Sequence, residues 1–206
     1  MENLVIRREL EADRRATENL TREAFWNRYR PGCSEHYVLH RYRDDPDFVP
    51  ELDLVIEKDG GIAAHIMYVR AEITTDDGRT LPIMTFGPVS VDPKYMGQGY
   101  GSTLISRSLA MAEQLGAGAV AITGDPGFYS RFGFLAGAER GIRYAAADDG
   151  DPAPYFLIKE LKPGFLNGVK GKYIDPPGYL VNEDEVESFD ASFPKKEKLK
   201  LPGQLI

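Results

Sequence analysis

Cysteine is nearly missing from this chain of 206 residues, and Cys33 is its one thiol. No internal disulfide can form, which excludes a disulfide-stapled secreted scaffold and points to a reducing, cytoplasmic setting. Basic charge is also in deficit. The 25 lysines and arginines stand against 32 acids, for a formal net charge of −7, where a nucleic-acid binder would show a basic footprint. Histidine is scarce: His36, His40 and His65 are the three. A zinc-protease helix would need Glu directly after the first of a His pair, and Tyr37 stands there, so no metal centre is expected. No apolar run approaches the ~18 residues of a membrane span, so no membrane partner is expected. The opening Met1-Glu2-Asn3 has none of the marks of a signal peptide. Repeats and Ser/Gly linkers are absent too.

What remains is an ordinary globular composition, 42% hydrophobic and 28% charged, enough for one well-buried core. Residues 4–8 read as a strand, and 13–26 as an amphipathic helix with Ala16, Leu20 and Phe25 on its apolar face. Pro31-Gly32 breaks the chain, and Ser34 is placed to cap a second helix to Arg43. Residues 52–57, 62–74 and 80–91 form a β-meander, with Lys58-Asp59-Gly60-Gly61 and Asp76-Asp77-Gly78 as turns. The period then changes to helical over 99–115, where Leu104, Ile105, Leu109, Met111 and Ala112 share a face. Residues 119–123 make a strand, 127–132 a short helix and 155–161 a last strong strand. After Pro163 the character shifts. Asn182-Glu183-Asp184-Glu185 resembles a capping box, Val186, Phe189 and Phe193 share a face, and four lysines follow. The reading is a solvated tail docked by its aromatic residues. The order β-α-α-β-β-β-α-β-α-β describes a mixed α/β (α+β) layer.

The chemistry concentrates in Val89-Ser90-Val91-Asp92-Pro93-Lys94-Tyr95-Met96-Gly97-Gln98-Gly99-Tyr100-Gly101-Ser102. A strand ends, and three alternating glycines lead into an amphipathic helix. Glycine serves where backbone takes unusual dihedrals or approaches a ligand closely, and a helix N-terminus presents free N–H groups and a positive dipole end. That combination suits an anion, most naturally phosphate. A P-loop is excluded because no Gly-Lys-Ser/Thr follows. A dinucleotide fingerprint fails at Ser102, where glycine or alanine is needed, and no acid lies about 20 residues on.

These residues resemble the acetyl-CoA motif of the GNAT superfamily of N-acetyltransferases, Gln/Arg-x-x-Gly-x-Gly/Ala, mapping to Met96, Gly99 and Gly101. Met96 departs from the usual Gln or Arg, leaving the backbone cradle intact. Downstream, Tyr129-Ser130-Arg131-Phe132-Gly133-Phe134 resembles the Tyr-x-x-x-Gly-Phe segment that closes the family's cofactor site. The resemblance covers about residues 4–161. It implies a GNAT fold, a mixed and mostly antiparallel central sheet flanked by helices, over residues 1–162. Residues 163–206 are then an extension packed on that domain or on a partner subunit of a homodimer. It further implies acetyl-CoA as donor and direct transfer to a small-molecule or peptide amine. Val89, Ser90, Val91, Met96, Gly97, Gln98, Gly99, Tyr100, Gly101, Ser102 and Phe128 are then the cofactor-binding residues. An N–H near Val91 faces the thioester oxygen, and Tyr129 is the general acid, a phenol with pKa near 10 that stays protonated at about pH 7. A module that holds acyl-CoA or a nucleotide without turnover is the competing reading.

No general base stands out. Glu23, Glu35 and Asp53 are named only for their positions, each reading more simply as a surface carboxylate. Phe25, Trp26, Tyr29, His36, Tyr37 and His40 are expected to line the acceptor cleft. Cys33 lies in a turn with no evident base beside it, and His65 looks isolated in its strand.

Overall fold

The computed structural model describes residues 4–148 and 150–204. Nine strands and five α-helices follow one another among these residues: β1 Val5–Arg8, α1 Arg14–Phe25, α2 Glu35–Tyr42, β2 Leu54–Lys58, β3 Gly61–Thr75, β4 Thr80–Val91, α3 Tyr100–Gln114, β5 Ala119–Thr123, α4 Pro126–Tyr129, β6 Leu135–Ala136, β7 Ile142–Tyr144, β8 Phe156–Glu160, β9 Gly171–Tyr173 and α5 Glu183–Asp190. The sheet order is β1-β2-β3-β4-β5-β8-β6, with β9 paired to β3 and β7. Pairing is antiparallel at β1–β2, β2–β3, β3–β9, β5–β8 and β6–β8, and parallel at β4–β5 and β7–β9. The mixed, mostly antiparallel open sheet expected from the sequence is therefore present. No helix among the described residues is long and apolar enough to cross a membrane.

The chain folds as two compact units, and β3 and β4 run from one into the other. The first takes the residues up to Met67, then Pro88–Leu104, then Gly178 onward. Its β-branched strands bury Val55, Ile56 and Ile66 completely, and α2 adds Leu39. The apolar face of α1 differs from the expected one. Ala16 is exposed, and the buried stripe is Thr17, Leu20, Thr21 and Ala24, with Glu18 and Arg22. This stripe meets polar groups: the Ser90 hydroxyl donates to Thr21 Oγ1 at 2.9 Å, so hydroxyl-bearing residues suit it better than larger apolar ones. Ser34 stands at the N-cap of α2 but makes no side-chain cap; its N–H donates instead to Glu35 Oε2 at 2.9 Å.

The second unit takes Tyr68–Gly87 and Ile105–Pro177. Its core collects Ile73, Ile83, Ala119, Ala121, Phe156, Ile158 and Tyr173. Residues 163–177 are integral to it. The Phe165 ring lies on Gly118 so closely that a Cβ there would sit 2.2 Å from ring carbons, and Leu166 is buried. Three of its strands, β6, β7 and β9, escape the sequence reading, because two or three residues show no period.

Candidate active site

The strand-to-helix junction lies wholly in the first unit. β4 pairs with β5 at Met84–Val120 and Thr85–Ala121 and itself runs on to Val91. The Asp92 N–H then donates to Ala63 O at 2.9 Å, and the Asp92 carboxylate accepts from Lys94 N–H at 3.0 Å, which with Pro93 bends the chain into a tight turn. Gly97 and Gly99 hold φ of +76° and +89°, the left-handed region that glycine reaches without strain. The first helical bond of α3 runs from Thr103 N–H to Gly99 O at 2.9 Å. The N–H groups of Tyr100, Gly101 and Ser102 precede it and have no acceptor within the helix. A Cβ at Gly97 or Gly99 would meet no atom within 4 Å, so the space over both glycines is open. A Cβ at Gly101 would lie 3.4 Å from Val91 Cγ2, which seats the helix start against the end of β4. The result is an open, exposed junction with backbone donors at the positive end of a 15-residue helix, suited to a pyrophosphate.

The side chains divide. Met96 is 42% exposed and its side chain carries no donor, so it offers no side-chain hydrogen bond to a phosphate. The Gln98 amide donates to Lys94 O at 3.1 Å, bracing the turn. Ser90 is fully buried and its hydroxyl is engaged by Thr21, so its side chain is not available to a cofactor. The rings of Tyr95 and Tyr100 meet edge to face, 5.6 Å apart, with the Lys58 ammonium about equally near both.

Tyr129 belongs to the second unit. Asp125 caps α4, its Oδ1 accepting from Gly127 N–H at 2.8 Å, and Pro126 supplies the first helical residue. The Tyr129 ring sits among Phe86, Phe128, Phe132 and Phe134, at centroid distances of 5.0–6.3 Å. Phe128 packs edge-on to it, and its own face carries the Arg131 guanidinium 4.9 Å away. Nearby in the same aromatic cluster, Tyr68 is fully buried on Phe86, its hydroxyl 2.8 Å from Ser108 Oγ.

The three carboxylates named as possible bases have different fates. Glu23 is half-exposed and paired with Lys196 at 2.7 Å. Burial pushes the Glu35 carboxyl above its ordinary range, although two backbone N–H groups oppose the shift. Asp53 is no surface group. It is 5% exposed and its Oδ1 lies 2.6 Å from Nε2 of the fully buried His65. Glu9 joins them, with ligand-type atoms of Glu9, Asp53 and His65 all within 4.8 Å of one another. Arg43 already holds Glu9 through Nε at 2.9 Å and Nη2 at 2.7 Å and reaches Glu18 at 2.6 Å, so a buried guanidinium supplies the cationic charge there. Burial raises Glu9, with the nearby Asp53 charge adding to it. Burial pushes Asp53 the same way, but His65, Glu9 and Arg43 outweigh it and hold Asp53 below its usual value.

Cys33 does have an imidazole beside it. Its Sγ lies 3.4 Å from His36 Nδ1, and His36 Nε2 lies 3.1 Å from Asp190 Oδ1, the oxygen that accepts from Arg22 Nε at 2.5 Å. Burial raises the Cys33 thiol far above its ordinary value, with Glu35 and Asp190 adding to the effect. Burial lowers His36 to about 4. Neutral thiol and neutral imidazole do not make an activated nucleophile, so the arrangement is structural. His36 and His40 serve different partners, His40 taking Glu18 at 2.9 Å.

The tail explains where the expected acceptor-lining residues went. Phe189 packs on His36, Tyr37 and His40 at 4.4–5.4 Å, and Phe193 on His36 at 5.3 Å. Trp26 Nε1 and Asn27 Nδ2 donate to Glu197 O at 2.9 and 3.0 Å. Arg22, 1% exposed, forms a bidentate pair with Asp190 at 2.5 and 3.1 Å. Phe25 and Tyr29 contact each other, 6.0 Å apart.

Comparison with known proteins agrees with this geometry. The profile of the acetyltransferase (GNAT) domain matches residues 6–136. An N-acetyltransferase of Escherichia coli K12, YhbS, is 31% identical over 168 residues, which are 82% of this chain and 93% of that protein. The crystal structure of E. coli YhbS in complex with CoA superposes with a TM-score of 0.74 at 27% identity, covering 87% of this chain and 93% of that one. A GNAT acetyltransferase of Brucella melitensis in complex with acetyl-CoA gives a TM-score of 0.70 at 26% identity, over 87% of this chain and all of that one. A helix-start cradle of glycine backbone, the matching profile and these relatives lead to one conclusion: the chain belongs to the GNAT family and is an N-acetyltransferase.

Proposed function

We propose that this enzyme moves the acetyl group of acetyl-CoA directly to a primary amine of a small molecule or peptide, with donor and acceptor bound together. The observation that carries the reading is the open backbone cradle at Gly97–Ser102, where N–H groups at the start of α3 suit the pyrophosphate of the cofactor. The structures of E. coli YhbS with CoA and of the B. melitensis protein with acetyl-CoA support the choice of ligand. The pantetheine arm pairs as an added strand along Val89–Val91, the part of β4 beyond its pairing with β5. A main-chain N–H near Val91 then stabilises charge developing on the thioester oxygen. The neutral amine attacks the carbonyl carbon, the C–S bond breaks as the Tyr129 hydroxyl delivers a proton to the departing thiolate, and the proton lost from the amine nitrogen passes through water to the phenolate, which restores the enzyme. Phe128 packs against the cofactor arm. With its single, buried thiol, the enzyme works in the reducing cytoplasm, residues 1–162 carrying the catalytic machinery and 163–206 forming an extension whose first part, to Pro177, is built into the second unit.

Tyr129→Phe tests the chemistry. It removes the proton donor and keeps the ring, so kcat is expected to fall about 100-fold or more, while the affinity for acetyl-CoA stays within about twofold. An unchanged kcat contradicts Tyr129 as the acid. Absence of turnover with every amine in both forms favours a module that binds acyl-CoA without chemistry.

A further inference from the structure

We propose that Gly124 is a positioning residue for Tyr129: its missing side chain is the floor on which the phenol ring rests. The inference depends on the reading of Tyr129 as the acid and adds the element that fixes its place. Gly124 follows β5 directly, and its N–H donates to Tyr155 O at 2.8 Å, which anchors this stretch of backbone. Its φ lies outside the left-handed region, so its backbone conformation is open to any residue. What only glycine offers here is space. A Cβ on Gly124 would stand 2.4 Å from Cε2 and 2.9 Å from Cδ2 of Tyr129, distances that real carbon atoms do not adopt.

The ring has little room to retreat. Phe86 and Phe134 stand 6.1 and 5.8 Å away, and Phe128 and Phe132 lie 5.0 and 6.3 Å away on its own turn. The backbone of α4 is held as well, since Tyr129 N–H donates to Asp125 O at 3.0 Å and the Asp125 cap fixes Gly127. Restoring ordinary contact with an added methyl therefore moves the ring by about 1 Å, a misplacement that costs on the order of 100-fold in a step needing an aligned group.

The experiment is a double-mutant cycle of Gly124→Ala and Tyr129→Phe, read as kcat and as acetyl-CoA affinity by calorimetry. G124A is expected to lower kcat about 10- to 100-fold with affinity within about twofold. In the Y129F background the same substitution is expected to change kcat by less than about twofold, because the hydroxyl it misplaces is gone. Two results overturn the positioning role while leaving the acid intact: a normal kcat for G124A beside a crippled Y129F, or an equal loss from G124A in both backgrounds. A fully active Y129F instead removes the acid and the positioning role together. Should G124A fail to fold, its combination with Tyr129→Ala, which removes the ring, is expected to restore folding. Failure to restore it shows that the methyl collides elsewhere and overturns the proposal.

Discussion

Replacing Asp190 by alanine should loosen the C-terminal tail at a cost readable in a simple melt. Arg22 is 1% exposed and Asp190 meets it through two hydrogen bonds, at 2.5 and 3.1 Å. Burial pushes the Asp190 carboxyl up, but the bond and charge of Arg22, together with His36, more than offset it and hold the group ionised below its usual range. D190A leaves the buried guanidinium without a hydrogen-bonded carboxylate, facing Glu23 at 3.9 Å and the Trp26 ring at 4.2 Å, a loss of about 3–5 kcal/mol. In a chain of this size 1 kcal/mol moves the midpoint by about 2–4 °C, so a fall of roughly 10 °C is expected. The control lies in the same tail. Lys198 and Glu187 pair on the surface with side chains 35% and 55% exposed, and such pairs contribute under about 1 kcal/mol, so Glu187→Gln should melt within about 2 °C of the parent. Replacing both partners, as Arg22→Met with Asp190→Leu, should recover most of the loss, since no charge is then stranded. Differential scanning fluorimetry with urea titration decides the matter. A D190A melt indistinguishable from that of Glu187→Gln would refute the reasoning, because the tail would then be held by its aromatic and other polar contacts without the Arg22 pair.

Three further outcomes follow from the same geometry. His36 is neutral in the fold, its pKa lowered from 6.5 to about 4 by burial, with Arg22 lowering and Asp190 opposing. A depressed histidine contributes stability that is complete above its unfolded pKa and is lost as pH falls from about 6.5 toward 4. Urea titrations should show wild type losing about 3 kcal/mol more than His36→Gln over that window; equal slopes contradict a buried neutral imidazole. Cys33, 5% exposed with its thiol raised by burial, should resist a disulfide reagent in wild type and react at least about tenfold faster in D190A. Gly99→Ala forces a side chain onto a φ of +89° and into the open space above the cradle, so stability should drop by about 1 kcal/mol while KM for acetyl-CoA rises about tenfold or more. A rise in KM without the stability change would place the strain elsewhere.

The strand-to-helix junction was legible because its signals are contiguous. Gly97, Gly99 and Gly101 announce a junction within six residues, and the periods of residues 80–91 and 99–115 place that junction between a strand and a helix. What escaped was assembled from distant pieces. Glu9, Arg43, Asp53 and His65 meet only because β1, β2 and β3 lie side by side and the end of α2 brings Arg43 to Glu9, so Asp53 looked like a surface carboxylate and His65 looked isolated. The buried face of α1 was misread because hydroxyl-bearing Thr17 and Thr21 do the packing where an apolar stripe through Ala16 was sought. One missed contact was local: Cys33 stands just before the Ser34 N-cap of α2 and His36 three residues on in its first turn, near enough to bring imidazole to sulfur. The aromatic residues Phe189 and Phe193 correctly marked a docked tail, but its partner Arg22 lies 168 positions from Asp190 and leaves no mark in either segment.

The most direct test of the central claim is acetyl-CoA turnover against a panel of amines, small-molecule and peptide, followed by release of free CoA thiol. The account predicts that at least one primary amine accelerates release, that the acetylated amine accumulates in step with the thiol, and that Gly99→Ala and Tyr129→Phe slow it through KM and kcat respectively. Tight binding of acetyl-CoA with no amine-dependent thiol release across the panel would contradict it.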